Sequence, residues 1–548
     1  MAGFGRDFED RKTNNSRMGL GVFRVLALCV AGLSAVCDAI DENSTYWQER
    51  QQVLASEQIT IMGQDQILNA DEQAVNEFLM ERKMAEMDAS FSSLHYLPSK
   101  NFLLVREEIE QTDVFKFLKL MPKGAALHLH DTAMATVSWV VSEISYWENL
   151  YMCCVAGDQL LLKFMAVPDT SCNWTLVSDK RASYSSAEEF DRELLGRLSL
   201  VLDDPVEKFP DINAVWKAFE STLIAMTGMV MYRPAWEAYL YHALLEFMED
   251  NVLHVEFRGT LPRLYELDGT ELTEEESLQV YEKVSQKFLS DHPTTYFGTR
   301  YIYAPLRRVD NISTIWDYVN LAKRLQQVCP NYLAGFDLVG QEDLGLPLKD
   351  ILDPLLTLSE GEVKVPVFYH AGETAWMGMS PDENLIDALL LNATRIGHGY
   401  AITKHPGAKQ LALDRDVPLE VCPVSNQVLM LIADLRNHPV SGLISEGFPI
   451  VVSADDPSTW GAVALSYDFY EAFMALAGAK ADLRFLKQLA INSIKYSGLD
   501  NDNKEELMNM WQQEWDAFIE EMKRLTSSHG RTINPTFTCV SSTSQPGF

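Results

Sequence analysis

Four short motifs in this sequence carry histidine or carboxylate side chains that could do chemistry together. They are His128-Leu-His130-Asp131, His370-Ala-Gly-Glu373, Ile396-Gly-His398-Gly399 and Ser453-Ala-Asp455-Asp456. Imidazole nitrogens and carboxylate oxygens are common ligands of zinc in proteins. A glutamate or histidine beside such a site is a candidate acid or base for hydrolytic chemistry. The motifs therefore predict a metal-dependent active site if the fold brings them together.

The pair His128 and His130 is an ambiguous signal when taken alone. Alternate residues of a strand point to one face, so the two imidazoles are either metal ligands or hydrogen-bonded core histidines. His370 and Asp455 each close an apolar, strand-like run. Adjacent carboxylates at such a point are costly unless they meet a cation or hydrogen-bond donors. We therefore expect one Zn²⁺ per chain, held by His128, His130, His370 and Asp455.

Short β-rich runs separated by helical stretches recur from about residue 120 onward and position these motifs. The runs are 124–130, 253–258, 296–303, 334–339, 365–370, 395–399, 418–423 and 449–453. Alternating strands and helices predict an α/β protein with a parallel sheet, and eight units predict a closed (β/α)8 TIM-type barrel. The motifs end the first, fifth, sixth and eighth runs, where barrels of this kind carry their active sites.

The regions outside these units define the expected domain organisation. Residues 40–100 predict a helical N-terminal extension, which we interpret as a dimerisation region. The barrel is expected over 101–522, with an inserted subdomain at about 140–185 after the first strand and a disordered polar tail over 523–548. Within the insert, Cys172 is expected to form a disulfide with Cys153 or Cys154. Cys422 lies in an apolar run and is expected to be a buried thiol.

The N-terminus has the order of a secretory signal. Arg17 and Arg24 accompany the apolar run 25–36, which ends in small residues and is short for a membrane span. We therefore predict a signal peptide with its leader over 1–39, with Met18 as an alternative start, and no stable membrane span. Glycosylation triplets agree with a secreted, extracellular protein, with lysosomal delivery as the alternative; they begin at Asn43, Asn173, Asn311 and Asn392.

The overall composition and charge indicate which classes of partner the protein is unsuited to bind. Hydrophobic residues make up 47% of the chain, enough for a large core, and 78 acidic against 45 basic residues give a formal net charge of −33. Such a surface repels phosphate backbones, and no basic stripe offsets it. Nucleic-acid binding is therefore disfavoured.

The motifs also resemble those of a known family. Together with residues 121–131 and Glu420-Val-Cys-Pro-Val-Ser-Asn-Gln, they resemble the adenosine deaminases over roughly residues 45–522. The helical N-terminus, the cysteine-bearing insert and Arg436-Asn-His-Pro resemble the secreted, growth-factor-related type-2 branch. The resemblance implies a metal-dependent hydrolase barrel that deaminates adenosine, and 2′-deoxyadenosine, to inosine and ammonia. It also implies a homodimer and a cell-surface receptor, with growth-factor-like signalling through adenosine depletion.

The resemblance implies roles for the residues around the purine. Glu373 is expected to donate a proton to ring nitrogen N1, which requires a neutral carboxyl with a raised pKa. His398 is expected either to orient and deprotonate the attacking water or to stabilise charge beside it. Asp455 would ligate zinc and accept a hydrogen bond from the water. Asp456 is implied to contact N7, and the backbone N–H of Gly340 to contact N3.

The sugar contacts follow less directly from the sequence. Asp131 is placed to lie over the sugar, and Trp216 and Glu220 resemble residues that line the nucleoside pocket in the type-2 branch. On the sequence alone, a packed helix aromatic is the favoured interpretation of Trp216. Leu306 stands where a sugar-contacting histidine is expected after the third strand, which predicts altered hydroxyl contacts and a shifted tolerance of 2′-deoxyadenosine.

Three alternatives to an adenosine deaminase stay open at this point. A related barrel enzyme could act on AMP, adenine or another amine, with Arg307 and Arg308 as the candidate phosphate clamp. The chain could instead be a catalytically idle extracellular growth factor or receptor-binding protein on a deaminase barrel. A barrel with functionless buried histidines is the third. No lysine closes the fourth run, so a single metal is favoured over a lysine-bridged pair.

Overall fold

A computed structural model of the chain describes residues 45–528. The predicted signal peptide, the alternative start at Met18 and the Asn43 triplet lie outside the described residues. So do residues 529–548 of the predicted tail. No helix within the described range is long and apolar enough to cross a membrane.

Short strands alternate with helices along most of the described chain. The strands are β1 (Gly124–Ala126), β2 (Leu150–Val155), β3 (Gln159–Phe164), β4 (Thr175–Leu176), β5 (Val252–Gly259), β6 (Gly298–Tyr303), β7 (Leu333–Phe336), β8 (His370–Ala371), β9 (Ile396–His398), β10 (Leu419–Val421) and β11 (Ile450–Val452).

The helices that precede β5 form two groups, one before β1 and one between β1 and β5. They are α1 (Thr45–Gln58), α2 (Ala70–Ser93), α3 (Phe102–Ile109), α4 (Asp113–Leu120), α5 (Val137–Ser142), α6 (Val177–Ala182), α7 (Ala187–Leu198), α8 (Pro205–Lys208), α9 (Ile212–Val230) and α10 (Arg233–Glu249). The later helices begin after β5: one follows each of the strands β5 to β9, two follow β10 and three follow β11. They are α11 (Glu274–Asp291), α12 (Ile312–Val328), α13 (Leu352–Leu356), α14 (Asn384–Leu390), α15 (Pro406–Asp414), α16 (Pro423–Val428), α17 (Val440–Ser445), α18 (Ser466–Glu471), α19 (Leu483–Lys495) and α20 (Asn501–Ser528).

The predicted TIM-type barrel is confirmed. Two parallel four-stranded sheets have the orders β1-β5-β6-β7 and β8-β9-β10-β11. Parallel bridges pair Leu129 with Asp455 at one junction and Phe336 with Val367 at the other, which closes the ring. The bridges also bring the end of the first barrel strand beside the end of the eighth. Residues of the first and last motifs therefore become neighbours although they lie more than three hundred residues apart.

The fifth barrel strand is shorter than predicted. The sequence predicted a strand over 365–370, whereas β8 contains only His370 and Ala371. Pro366 has no backbone N–H, so it interrupts a ladder of strand hydrogen bonds. The preceding segment still follows the barrel, because Phe336 N–H donates to the Pro366 carbonyl and Phe368 N–H donates to the Phe336 carbonyl.

The insert after β1 contains a small antiparallel sheet of its own. Its strand order is β3-β2-β4, within the predicted range of 140–185. The disulfide joins Cys153 to Cys172, which decides between the two expected partners, and Cys154 is a free, exposed thiol. Cys422 is a buried free thiol, as predicted.

The two ends of the described chain differ from the expected boundaries. The chain divides into one compact unit that ends at Ile59 and another that begins at Thr60. The first unit contributes α1, in which no residue is buried. In the second unit, a capping box of Asn69 and Glu72 starts α2. The last helix extends to Ser528, so residues 523–528 are helical rather than part of a disordered tail.

Candidate active site

The barrel brings the predicted motifs to one point. The ligand atoms of His128, His370, His398 and Asp455 lie within 4.8 Å of one another, and all four side chains are buried. His128 and Asp455 follow β1 and β11, whereas His370 begins β8 and His398 ends β9, so all four lie at one rim of the barrel. Asp455 and His398 have φ values of +59° and +56°. Such left-handed backbone is costly for residues other than glycine and tends to occur at functional sites.

His130 joins this group through Asp455. Its Nε2 lies 3.0 Å from Asp455 Oδ1, and His128 Nε2 lies 3.2 Å from the same oxygen. The His130 and His370 rings are 5.4 Å apart between centroids. The structure thus places all four predicted ligands together and adds His398 to the cluster.

Unsatisfied polar atoms at the centre of the cluster fit a bound cation. His128 Nε2 and Asp455 Oδ1 are buried and have no hydrogen-bond partner among the described residues. The second carboxylate oxygen of Asp455 accepts a hydrogen bond from Ser425 Oγ at 2.7 Å. Unpaired buried polar atoms are rare because they are costly, and a divalent cation would satisfy both. These residues are able to hold a metal ion.

Two buried carboxylates orient the ligand imidazoles. His128 Nδ1 lies 2.6 Å from Glu420, and His370 Nδ1 lies 2.6 Å from Asp337. Because each Nδ1 is occupied by a carboxylate, each Nε2 is directed to the centre of the site. Histidine ligands of metals commonly donate their other N–H to such a group, which fixes the ring and raises its basicity.

Buried arginines hold those carboxylates in turn. Arg258 lies 2.7 Å from Asp337 and 2.8 Å from Glu420, and Arg395 lies 2.5 Å from Glu420. Burial alone would raise the pKa of Asp337, but His370 and Arg258 lower it well below its usual range. Both carboxylates are therefore charged and available to the imidazoles. The sequence analysis assigned no role to these four residues.

The loop after β8 places Glu373 at the mouth of the cluster. Gly372 has φ +80°, and a Cβ there would lie 2.7 Å from Leu385, so only glycine fits. The Gly372 and Glu373 N–H groups donate to the buried Glu342 carboxylate at 3.0 and 2.6 Å. Glu342, to which the sequence analysis gave no role, therefore fixes the turn.

The Glu373 carboxyl is buried in an acidic environment. Its Oε1 has no hydrogen-bond partner among the described residues and lies 3.6 Å from His398 Nε2. Burial, and then the charges of Asp455 and Glu342, raise the pKa of Glu373 well above its usual value. The raised pKa expected of Glu373 is thus present, and its side chain lines the pocket.

A single pocket connects this cluster to the predicted substrate residues. Its volume is about 1010 Å³, and the cluster residues His130, His370, His398 and Asp455 line it. Each of the residues expected to contact substrate also lines it: Asp131, Trp216, Glu220, Gly340, Glu373 and Asp456. One face of α9 forms a wall of the pocket. The structure therefore brings these widely separated residues to one cavity.

The details of the pocket refine several expectations. Trp216 both lines the pocket and packs on Phe219, with ring centroids 5.5 Å apart, so its two interpretations are compatible. Asp131 is buried, and burial raises its pKa to about 7. Gly259 leaves room for Asp131, since a Cβ there would overlap its carboxylate.

The loop after β6 holds the residue that departs from the expected pattern. Leu306 lines the pocket, is half-exposed and reaches to 3.9 Å from the position of a Cβ on Gly340. Arg307 does not face the pocket: it is buried and donates to the Leu338 and His370 carbonyls at 3.0 and 2.7 Å. Of the two arginines that the AMP alternative would need as a phosphate clamp, Arg308 borders the pocket and Arg307 does not.

Comparisons with known proteins agree with this fold and site. Residues 203–513 match the family model for adenosine deaminase, and residues 25–118 match that for the adenosine/AMP deaminase N-terminal region. A protein from Pongo abelii called adenosine deaminase 2 is 42% identical over 503 residues, covering 91% of this chain and 97% of that protein. Adenosine deaminase 2 from Homo sapiens is 41% identical over 500 residues, covering 90% and 98%.

Solved structures share the fold at much lower identity. The N6-methyl-AMP deaminase of Arabidopsis thaliana has a TM-score of 0.51 and 16% identity, covering 73% of this chain and 98% of that one. A zinc-bound amidohydrolase has a TM-score of 0.50 and 17% identity, covering 78% and 99%. The family match and the relatives define this barrel protein as a deaminase. The chain belongs to the adenosine deaminase family.

Proposed function

We propose that the chain is a zinc-dependent enzyme that hydrolyses adenosine, and also 2′-deoxyadenosine, to inosine and ammonia. The observation that carries the proposal is that the buried His/Asp cluster and Glu373 meet at one pocket. Relatives that are 41–42% identical over about nine tenths of the chain bear the name adenosine deaminase 2.

His128, His130, His370 and Asp455 would hold one Zn²⁺. When bound, zinc lowers the pKa of a coordinated water from about 16 to about 7 and so supplies a nucleophile at neutral pH. The carboxylates behind His128 and His370 accept a hydrogen bond from each Nδ1, so the Nε2 lone pair of each ring is aimed at the centre of the site.

The remaining site residues act on the purine. Glu373 holds a proton at its carboxyl and delivers it to N1 as negative charge develops there. Asp456 is buried, with Oδ1 unpaired among the described residues, and burial and then the charge of Asp455 raise its pKa well above the usual value. In its protonated form it donates a hydrogen bond to N7, which offers only a lone pair. The Gly340 N–H donates to N3. Since C6 must lie beside the reacting water, the ring enters the pocket with that edge first.

The sugar then occupies the outer part of the pocket. It is attached at N9, on the side of the purine away from C6, so it points toward the mouth. Asp131, Trp216 and Glu220 lie there and are proposed to contact it. Leu306 replaces a polar contact with an apolar one, which favours tolerance of a missing sugar hydroxyl.

We extend the proposal to the setting of the enzyme. It is secreted and extracellular, with lysosomal delivery as the alternative, and its disulfide agrees with an oxidising compartment. It is a glycosylated homodimer formed through its N-terminal helices, and its insert is the candidate surface for a cell-surface receptor. Growth-factor-like signalling would arise from depletion of adenosine.

A substrate comparison tests the proposed function. Purified enzyme is assayed with adenosine, 2′-deoxyadenosine, AMP and adenine under identical conditions. Adenosine and 2′-deoxyadenosine are expected to have the highest kcat/KM, because Arg308 is the one basic side chain, Arg or Lys, among the described residues that line the pocket, and the chain is strongly acidic. A preference for AMP or adenine would overturn the choice of substrate. Inactivity toward all four would favour the idle growth-factor alternative.

A further inference from the structure

A chain of hydrogen bonds leads from the backbone into the active site through Asn426 and His438, two buried residues without a role so far. His438 belongs to the Arg436-Asn-His-Pro stretch. Its Nδ1 accepts a hydrogen bond from the Val440 N–H at 3.2 Å. Its Nε2 lies 3.0 Å from Asn426 Oδ1, and Asn426 Nδ2 lies 3.2 Å from His398 Nδ1.

The direction of every bond in this chain follows from its first member. A backbone N–H only donates, so His438 Nδ1 must be the unprotonated nitrogen. Burial lowers the pKa of His438 to about 3, so the ring is neutral and its single proton is on Nε2. That proton goes to Asn426 Oδ1. The Asn426 amide group then has only its N–H to offer, and it donates to His398 Nδ1.

The reversed orientation of the Asn426 side chain is disfavoured by the same constraint. It would place the amide NH₂ against the His438 Nε2–H, so two donors would face each other. Moving the His438 proton to Nδ1 would create the same conflict with the Val440 N–H. At a buried position such an unmet pair costs both groups their hydrogen bonds. The observed distances therefore agree with one arrangement only.

We propose that Asn426 and His438 are positioning residues that hold His398 with its proton on Nε2, so that His398 offers a hydrogen-bond donor to the reacting water. The proposal rests on the proposed function for its catalytic meaning. The Nε2–H faces acceptors, since Glu373 Oε1 lies 3.6 Å and Asp455 Oδ2 3.7 Å from that nitrogen. Of the two roles open to His398, this selects stabilisation of charge beside the water and excludes removal of its proton.

The same proton separates His398 from the metal ligands. A nitrogen that carries hydrogen has no lone pair for a cation, although His398 lies in the buried cluster with His128, His370 and Asp455. His130, whose Nε2 is 3.0 Å from Asp455 Oδ1, is then the third histidine ligand. The hydrogen-bond chain thus divides neighbouring imidazoles into ligands and a donor.

The protonation state of His398 is directly measurable by NMR. Enzyme with ¹⁵N-labelled histidine is loaded with zinc, and His398 is assigned by comparison with the His398→Gln variant. The expected spectrum has a protonated Nε2 and an unprotonated Nδ1 for His398. A proton on Nδ1 would overturn the proposal. Because this readout does not use turnover, it is independent of whether the substrate comparison succeeds.

Substitutions test whether the hydrogen bonds through Asn426 and His438 set the protonation state of His398. In Asn426→Asp, a carboxylate replaces the N–H, so the His398 proton is expected to move to Nδ1. With zinc content and KM maintained, kcat should fall roughly 10- to 100-fold, the usual effect of altering a partner of a site residue. An unchanged His398 spectrum and unchanged kcat would contradict the proposal.

Two substitutions at His438 distinguish an effect of hydrogen-bond direction from an effect of side-chain packing. Gln retains an N–H donor for Asn426, whereas Met fills a similar volume without one. His438→Gln is expected to keep most of the wild-type kcat, and His438→Met to lose activity as Asn426→Asp does. Equal losses in both would show a packing role instead. His405→Gln is a matched control, since His405 also precedes a proline at a helix start but bonds Asp382 at 2.8 Å.

Discussion

At the scale of single residues, the proposed chemistry depends on groups whose protonation is controlled by their neighbours. The pKa of Glu373 is raised by burial and by the charges of Asp455 and Glu342, whereas His370 and Arg258 lower the pKa of Asp337 despite its burial. Both are buried carboxyls in one site, and their environments shift their pKa values in opposite directions. This separation is what an enzyme needs to use one carboxyl as an acid and another as a support for a ligand.

The role of Glu373 is tested by Glu373→Gln. Glutamine preserves the shape but has no acidic proton, so kcat for adenosine is expected to fall roughly 10²- to 10⁴-fold, the contribution typical of a positioned acid. Zinc content and the thermal midpoint of unfolding should stay close to wild type. Glu360→Gln, at an exposed glutamate that does not line the pocket, is a control for the change of charge. Wild-type turnover in Glu373→Gln would remove the assignment.

The role of Leu306 is tested by Leu306→His. The new imidazole adds a hydrogen-bonding group at the mouth of the pocket, where the sugar is proposed to lie. One neutral hydrogen bond contributes about 0.5–1.5 kcal/mol, so the kcat/KM preference for adenosine over 2′-deoxyadenosine should rise roughly two- to tenfold. Leu352→His, at an exposed leucine that does not line the pocket, is the control. An unchanged preference would place the sugar elsewhere.

At the scale of secondary structure, the turn after β8 is the element that converts a strand end into a catalytic position. Its geometry needs a glycine at 372 and the Glu342 carboxylate that receives both N–H groups. Glu342 also accepts a hydrogen bond from Asn384 Nδ2 at 2.7 Å, at the start of α14. The turn is thus fastened to the helix that follows it.

Gly372→Ala should disturb this turn selectively. A Cβ at a φ of +80° is strained and would press on Leu385, so the free energy of unfolding should fall by about 1–3 kcal/mol and activity should decline further. The measurement is urea unfolding together with kcat on the zinc-loaded enzyme. Gly407→Ala is a matched control, because nothing lies within 4 Å of its Cβ position. Equal stability of the two variants would contradict the account of the turn.

The elements also explain what the sequence was able to predict. His128, His370 and Asp455 end recognisable apolar runs, so their convergence follows from barrel geometry alone. Arg258 and Glu420 belong to such runs. Their side chains can be buried because they pair with each other across strands that are distant in sequence. No local pattern distinguishes that arrangement from an exposed strand face. The span of β8 was also overestimated, because Pro366 belongs to the apolar pattern but not to the hydrogen-bond ladder.

At the scale of the whole molecule, the family assignment and the barrel fold agree. The proposed secretion and dimerisation depend instead on the regions outside the barrel. The insert is stabilised by its own sheet and by the Cys153–Cys172 disulfide. The last helix buries Trp511, Trp515 and Met522, which explains why it continues beyond the expected end at 522. The sequence after about residue 525 is polar, and polar composition alone does not show where a helix ends. The extension of the helix to Ser528 was therefore not predicted.

The central claim is that one zinc ion at the His/Asp cluster makes this chain an adenosine deaminase. The most direct measurement is a titration: protein freed of metal by a chelator receives increasing zinc while bound metal and adenosine turnover are recorded on the same samples. Activity is expected to be absent at the start and to rise in proportion to zinc until one ion is bound per chain. Full activity without metal, or stoichiometric zinc without turnover of adenosine, would contradict the claim.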